Sequence, residues 1–265
     1  MKATSKRKHV RVRAKMACFT LPEFKTERCS SVAAPVSTWD GVLSQVQGHR
    51  GVHYEIESAA MLFEPRKLAQ TVNEVRDFGT GKRGPVNTED QRTLRTTTYL
   101  AGRLRTIHKT SFEGDLVSEP FAGVDFVVTY RLTTRDPQEL VEHEDMLDRR
   151  LRNGHFWRTP GLGLRELIAD VEPIKGFSDA GLILDDRTKA GRVIPYPSDI
   201  PLYTHSDGLK TFDYNADLGF SFFGIDWDDP SHPHYFAPLR VEHGLLKYPS
   251  WDEVRSLGIS RKGTR

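Results

Sequence analysis

The sequence predicts an α+β protein whose core is a ferredoxin-like sheet of the RNA-recognition-motif type, with a β-hairpin insertion and a C-terminal antiparallel β elaboration. Three observations carry this prediction. Strand, helix and strand signals occur twice in order. A polar, glycine-bearing stretch from about 64 to 123 separates the two sets. After about Phe177 only short strands and turns follow until Trp251. The corresponding division is an RRM-like domain over 1–176, containing the insertion, and an antiparallel β subdomain over 177–265 with a basic tail.

His9 to Phe19 carries alternating Val10, Val12, Met16 and Phe19, the period of a half-buried strand. Pro35 and Ser37 announce a helix, with Ser37 as N-cap and Asp40 in the first turn. Trp39, Val42, Leu43 and Val46 share one face, and Gly48 ends the run. Val52 to Phe63 is the second strand. Within the insertion, Arg95 to Lys109 reads as a projecting β-ribbon or an ordinary exposed hairpin. Val124 to Leu132 is rich in β-branched and aromatic residues and is the clearest strand of the chain. Asp136-Pro137-Gln138-Glu139 combines an N-cap, a first-position proline and first-turn acid. The helix they open runs through Leu140, His143, Leu147 and Leu151 to Arg149, Arg150 and Arg152, and stops at Asn153-Gly154. The cations suit the helix dipole, a structural reading of Arg149 and Arg150 that stands beside any binding role. Leu164 to Val171 is the fourth strand, after a Gly161-Leu162-Gly163 turn. Ala180–Leu184, Asp217–Asp226 and Tyr235–Leu246 form the later strands, and Arg255–Arg265 is a loose basic end.

At 265 residues, 37% hydrophobic and 28% charged, the chain has the composition of a globular domain. A net charge of +2 does not by itself call for a polyanionic partner. Positive charge is nevertheless local: Lys2, Lys6, Arg7, Lys8, Arg11, Arg13 and Lys15 precede the first acid, Glu23. That run reads equally as a binding arm or as a solvated terminus. Two cysteines, Cys18 and Cys29, make neither a disulfide framework nor a zinc motif. No apolar run approaches the roughly 20 residues of a membrane helix, no leader is expected, and the chain reads as cytoplasmic, without membrane contact.

Several catalytic motifs are excluded. Gly79-Thr80-Gly81-Lys82-Arg83 lacks phosphate-loop spacing and places Arg83 where a hydroxyl must meet magnesium. His143-Glu144 is followed by Leu147 where a zincin needs its second histidine, and His232-Pro233-His234 has no third ligand nearby in sequence. No serine elbow is present, so serine hydrolase chemistry has no support, and with no metal motif left no metal or cofactor is expected. What remains is suited to nucleic acid. Ala17-Cys18-Phe19-Thr20-Leu21-Pro22-Glu23-Phe24-Lys25-Thr26-Glu27-Arg28 takes a strand into a loop with two rings and the cations Lys25 and Arg28. Gly161-Leu162-Gly163-Leu164-Arg165-Glu166 either lets a nucleic-acid backbone approach closely or is a plain tight turn.

These blocks, with Arg149-Arg150-Leu151-Arg152-Asn153-Gly154 and Asp217-Leu218-Gly219-Phe220, resemble the Cas5 family of CRISPR-associated proteins in its type I-C branch. The likeness extends to Tyr235–Pro249 and covers most of the chain outside the insertion. It implies a fold of the RAMP superfamily: an RRM-like core, a β-hairpin thumb and a C-terminal sheet. It also implies a role, gripping the 5′ handle of a CRISPR RNA within a Cascade complex. The implied partners are CRISPR RNA, the Cascade backbone subunit, the large subunit and, indirectly, target DNA. In the type I-C branch the protein also cuts the precursor without metal, using a Tyr after the first helix and a Lys-His pair in the second. Block alignment puts Gln47 at the Tyr position, Glu142 at the Lys position and His143 at the His position.

Gln47 is no acid or base near neutral pH, and Glu142 reverses the charge meant for the phosphate. The resemblance therefore implies a handle-binding subunit with a largely missing ribonuclease site. His143 is the remaining catalytic candidate, and Lys25, Arg28, Arg92, Arg95, Arg149, Arg150, Gly161, Gly163 and Arg165 are the expected RNA contacts. An active endoribonuclease, with His143 assisted by His49, His53 or Tyr54, is the first alternative. A general single-stranded RNA-binding domain is the second.

Overall fold

The structure is a computed structural model and describes residues 3–20, 28–49, 51–64, 66–75, 92–101, 123–186, 191–198, 200–226 and 234–261. The chain enters through a two-residue strand, β1 (Ala3–Thr4), and the first core strand, β2 (Lys8–Ala14). At Lys15 it bends, and β3 (Met16–Ala17) leaves for a second sheet, so the expected His9–Phe19 strand is divided between two sheets. β4 (Arg28–Cys29) joins that same second sheet. Helix α1 (Val36–Val46) follows. Its N-cap is Pro35 with no side-chain cap, and Ser37 lies inside the helix, contrary to expectation. Burial explains the shift: Val36 packs into the core and starts the helix one residue ahead of Ser37. Asp40 accordingly lies past the first turn, which holds no acid, and the helix ends at the C-cap Gln47, immediately before Gly48.

β5 (His53–Met61) is the second core strand. The insertion contributes β6 (Arg66–Val75) and β7 (Arg92–Ala101), antiparallel in register from Arg66↔Ala101 to Val75↔Arg92. β7 also pairs with β3, and in parallel with β4, giving a four-stranded sheet apart from the main one. β8 (Val124–Thr134) and α2 (Pro137–Asn153) follow, the helix capped by the Asp136 side chain and closed by Gly154 at φ +65°. The expected strand from Leu164 is displaced: β9 runs from Ala169 to Ser178. Leu162 and Leu167 are buried within a turn bonded to itself (Leu162 N–H to Leu167 O, 2.9 Å; Leu167 N–H to Leu164 O, 3.1 Å), which withholds those residues from pairing.

β2, β5, β8 and β9 run in spatial order fourth, first, third, second, each antiparallel to its neighbour. The rest of the chain extends both edges. β10 (Gly181–Leu184) and β11 (Arg192–Pro195) continue beyond β9, and β12 (Leu202–Thr204) pairs with β13 (Lys210–Phe212) as a separate hairpin. β14 (Ala216–Ile225), β15 (His234–Glu242) and β16 (Leu245–Lys247) build out from β5, through β16 paired with Ala59 and Ala60. Helix α3 (Trp251–Leu257) and β17 (Ser260–Arg261) close the described chain. α3 is fixed by a Ser250–Glu253 capping box, and Arg255, read as part of a loose end, instead lies in this helix and holds Asp226 at 2.7 Å.

Alternation along the strands sends residues to two cores. Val10, Val12, Phe126, Val128 and Tyr130 face α1 and α2 with Trp39, Leu43 and Leu147. Trp39 Nε1 donates to Tyr248 Oη at 2.8 Å, and that hydroxyl donates to Ala34 O at 2.7 Å, fastening α1 to the C-terminal strands. The other face is covered as well. Ala60, Leu62, Val127, Ile174, Leu182 and Leu184 pack there with Leu209. Arg11 lies between them, its Nε 3.0 Å from the Asp125 carboxylate, with Glu172 at 3.7 Å. The N-terminal cations are engaged similarly: Lys8 with Asp148 at 2.8 Å, Arg13 with Asp170 at 3.4 Å and Arg7 with Glu57 at 2.6 Å. These pairings hold Arg7, Lys8, Arg11 and Arg13, while Lys6 and Lys15 are exposed and Lys2 lies outside the described residues.

Candidate functional site

Gln47 and His143, 96 residues apart in sequence, meet where the C-terminal end of α1 crosses α2. The Gln47 amide nitrogen lies 3.2 Å from His143 Nδ1, and both side chains are buried. An amide N–H donor leaves Nδ1 as acceptor, which puts the neutral imidazole's proton on Nε2. Gln47 Oε1 is buried without a hydrogen-bond partner. Burial, helped by the neighbouring His49, pushes the His143 imidazole below its ordinary value, against Glu139 and Glu142. His143 is therefore neutral at pH 7, 6% exposed and held in one tautomer.

Around this pair the substitutes considered from sequence separate clearly. His49 is exposed, and its ring lies over His143 with centroids 4.4 Å apart. Tyr54 is buried and donates its hydroxyl to Gln47 O at 3.1 Å; burial, then Asp40, pushes its phenol well above the ordinary value. Its proton is committed, so it is a brace for the α1 terminus. His53 is exposed beside Asp40, whose carboxyl burial pushes upward. Glu142 is exposed on α2.

The loop after α2 is anchored on the same corner. Trp157 N–H donates to Val46 O at 3.1 Å, Arg158 N–H to Gln45 O at 2.8 Å and Gly161 N–H to Gln45 Oε1 at 2.9 Å. Arg150 Nη1 donates to Val46 O at 3.1 Å, so this arginine satisfies a helix-end carbonyl. Arg149 and Arg165 are exposed. Gly163 has φ +86°, and a Cβ there would sit 1.8 Å from Cys18 O; Leu162 O accepts from Cys18 N–H at 3.1 Å. The close approach that Gly163 permits is thus to the chain's own first strand exit. Gly161 bridges to Ile168. Arg28, Arg92 and Arg95 share the small sheet, whereas Lys25, the Gly79–Arg83 stretch and His232 lie outside the described residues. Sequence reasoning missed Gln45 and Trp157; the signal for the latter was an aromatic within an arginine-rich segment free of acids from Arg149 to Arg165.

No family model matches the chain. The CRISPR pre-crRNA endoribonuclease Cas5d of Thermus thermophilus is 32% identical over 177 residues, which cover 66% of this chain and 68% of that protein. The protein of the same name from Mannheimia succiniciproducens is 26% identical over 253 residues, 90% of this chain and 94% of the other. A crystal structure of a CRISPR-associated protein matches with a TM-score of 0.56 at 16% identity, covering 96% of this chain and 97% of that one. The mixed, mainly antiparallel architecture is therefore that of a CRISPR-associated protein fold. Within that class, the chain belongs to the Cas5 family. Among the described residues no helix is long and apolar enough to cross a membrane.

Proposed function

We propose that this Cas5 protein is the Cascade subunit that binds and caps the 5′ handle of a CRISPR RNA, with a reduced ribonuclease site. The observation that carries this reading is the Gln47–His143 contact. The residue at the expected tyrosine position is an amide bound to the one retained catalytic candidate, and that histidine is buried. Neither side chain presents an acid or base to a phosphodiester, and general acid–base groups typically supply about 10²–10⁴-fold each. In this reading the 4-1-3-2 core is RRM-like and the β6–β7 ribbon is the thumb, with Arg28, Arg92 and Arg95 along it. Lys25, Arg149, Arg165 and the Gly161–Gly163 turn border the RNA path, and Arg150 supports it. The segment 177–265 is an elaboration of the core, and the backbone and large subunits are the expected neighbours.

A second reading, an active endoribonuclease, is favoured by exposed His49 lying over His143 and by the activity named for the two curated relatives. There His49 would meet solvent and RNA while His143 relays or buffers its proton. Incubating the purified chain with repeat RNA in EDTA separates the two. The first reading expects intact RNA bound as a stable complex. A discrete cut abolished by either His49→Ala or His143→Ala would replace it with the second.

A further inference from the structure

We propose that Trp157 is a nucleobase-stacking site, and that single-stranded RNA crosses the molecule at the corner where α1 and α2 end. This deepens the RNA-binding reading above and rests on it. Trp157 is 61% exposed, although it is one of the largest apolar side chains of the protein. Its backbone is nonetheless held: Trp157 N–H and Arg158 N–H bond to Val46 O and Gln45 O. Beneath it is Gly48, where a Cβ would approach Trp157 Cδ1 to 3.2 Å and Ser44 O to 3.1 Å. A glycine at this position lets the indole lie against the helix end while most of its surface stays open. The ring is thus exposed and pre-positioned, the condition under which an aromatic face binds a base at low entropic cost.

The surroundings fit a polyanion carrying bases. His49, next in sequence to Gly48, is exposed, and its ring is tilted against that of His143 with centroids 4.4 Å apart. Arg149, Arg158 and Arg165 are exposed, and among the described residues none of them is in an ion pair. Stretches 149–165 contain five arginines and no acid. By contrast, the sheet face away from the helices, where an RRM stacks its bases, is filled by the Val127–Leu182 cluster and the Arg11–Asp125 pair. The corner offers what that face lacks: an open ring with cations around it.

The test uses the whole chain and a labelled repeat RNA, with affinity measured over a salt series for wild type, Trp157→Ala, Trp157→Phe and Arg158→Gln. Stacking predicts that Trp157→Ala weakens binding roughly 5- to 100-fold with its salt slope unchanged, while Trp157→Phe retains most affinity. Arg158→Gln should lower the slope by about 0.7. If wild type binds and Trp157→Ala binds equally, the stacking proposal is overturned and the RNA reading stands. Loss of a co-purifying protein subunit with unaltered RNA affinity would assign Trp157 to a protein contact, also overturning it. Equal losses for Phe and Ala would assign a packing role and do the same. If wild type binds no RNA, the functional reading itself fails and takes the proposal with it.

Discussion

Two runs of this chain are basic and free of acid in sequence: Lys2 to Lys15 and Arg149 to Arg165. In the folded protein they part company. Lys8 to Arg13 of the first run lie in β2, within the main sheet, where neighbouring strands bring carboxylates to Arg11 and Arg13: Asp125 from β8, Asp170 and Glu172 from β9. The second leaves the end of α2 and runs over a surface corner, where only Arg152 of its arginines approaches a described carboxylate, Asp185 at 3.7 Å. A cluster of cations in one stretch therefore does not foretell free positive charge. Strand pairing neutralises Arg11 and Arg13 in one place, and a docked loop displays its arginines in the other.

The comparison predicts different consequences for each run, and Asp125 is where the effect is largest. Asp125→Ala leaves Arg11 buried with only the more distant Glu172, which should cost about 3 kcal/mol of stability by urea denaturation. A loss under about 1 kcal/mol would mean that the central charges are not acting as a buried pair. Gly163→Ala tests the packing of the second run against the first strand exit. A positive φ and the Cys18 carbonyl together should cost at least ~2 kcal/mol, visible as a lower Tm.

Changing Arg149 and Arg165 together to Gln should leave Tm unaltered and weaken repeat-RNA binding about tenfold, with a shallower salt slope. Arg7→Gln is the control from the first run. Its exposed pair with Glu57 should be worth less than about 1 kcal/mol, and RNA affinity should not move. If Arg7→Gln weakened RNA binding as much as the double change, the contrast between the runs would collapse.

The site itself has a pH signature. Because burial lowers the His143 value in the folded state, the unfolded chain holds more protons just below the ordinary histidine value of 6.5. Its contribution is complete above that value and is lost as pH falls through it towards the lower folded one. Denaturation at pH 7.5 and 5.5 should show a smaller acid loss for His143→Asn than for wild type. An identical loss would place His143 in a solvated setting instead.

Much of the scaffold was legible because its signals are local. Asp136-Pro137 and Gly154 bound α2 through capping and backbone geometry that neighbouring residues impose. Val124–Leu132 announces a strand because β-branched and aromatic residues suit a buried pleated surface. The misplaced boundaries had a different cause. Ser37 was available as a cap, but burial of Val36 decided where α1 begins; the leucines near 164 alternate, but their own turn hydrogen bonds outcompete the sheet.

The candidate site was only half readable. His143 and Gln47 could be singled out one at a time, yet their contact, the exposure of His49 and the seat of Trp157 on Gly48 depend on segments about 100 residues apart. The sequence alone determined where helices and strands are favoured, since capping, periodicity and side-chain branching act over a few residues. Only the tertiary structure decided which charges are neutralised and which ring stays open. Those outcomes depend on what the fold sets opposite each side chain, and no short-range preference encodes that.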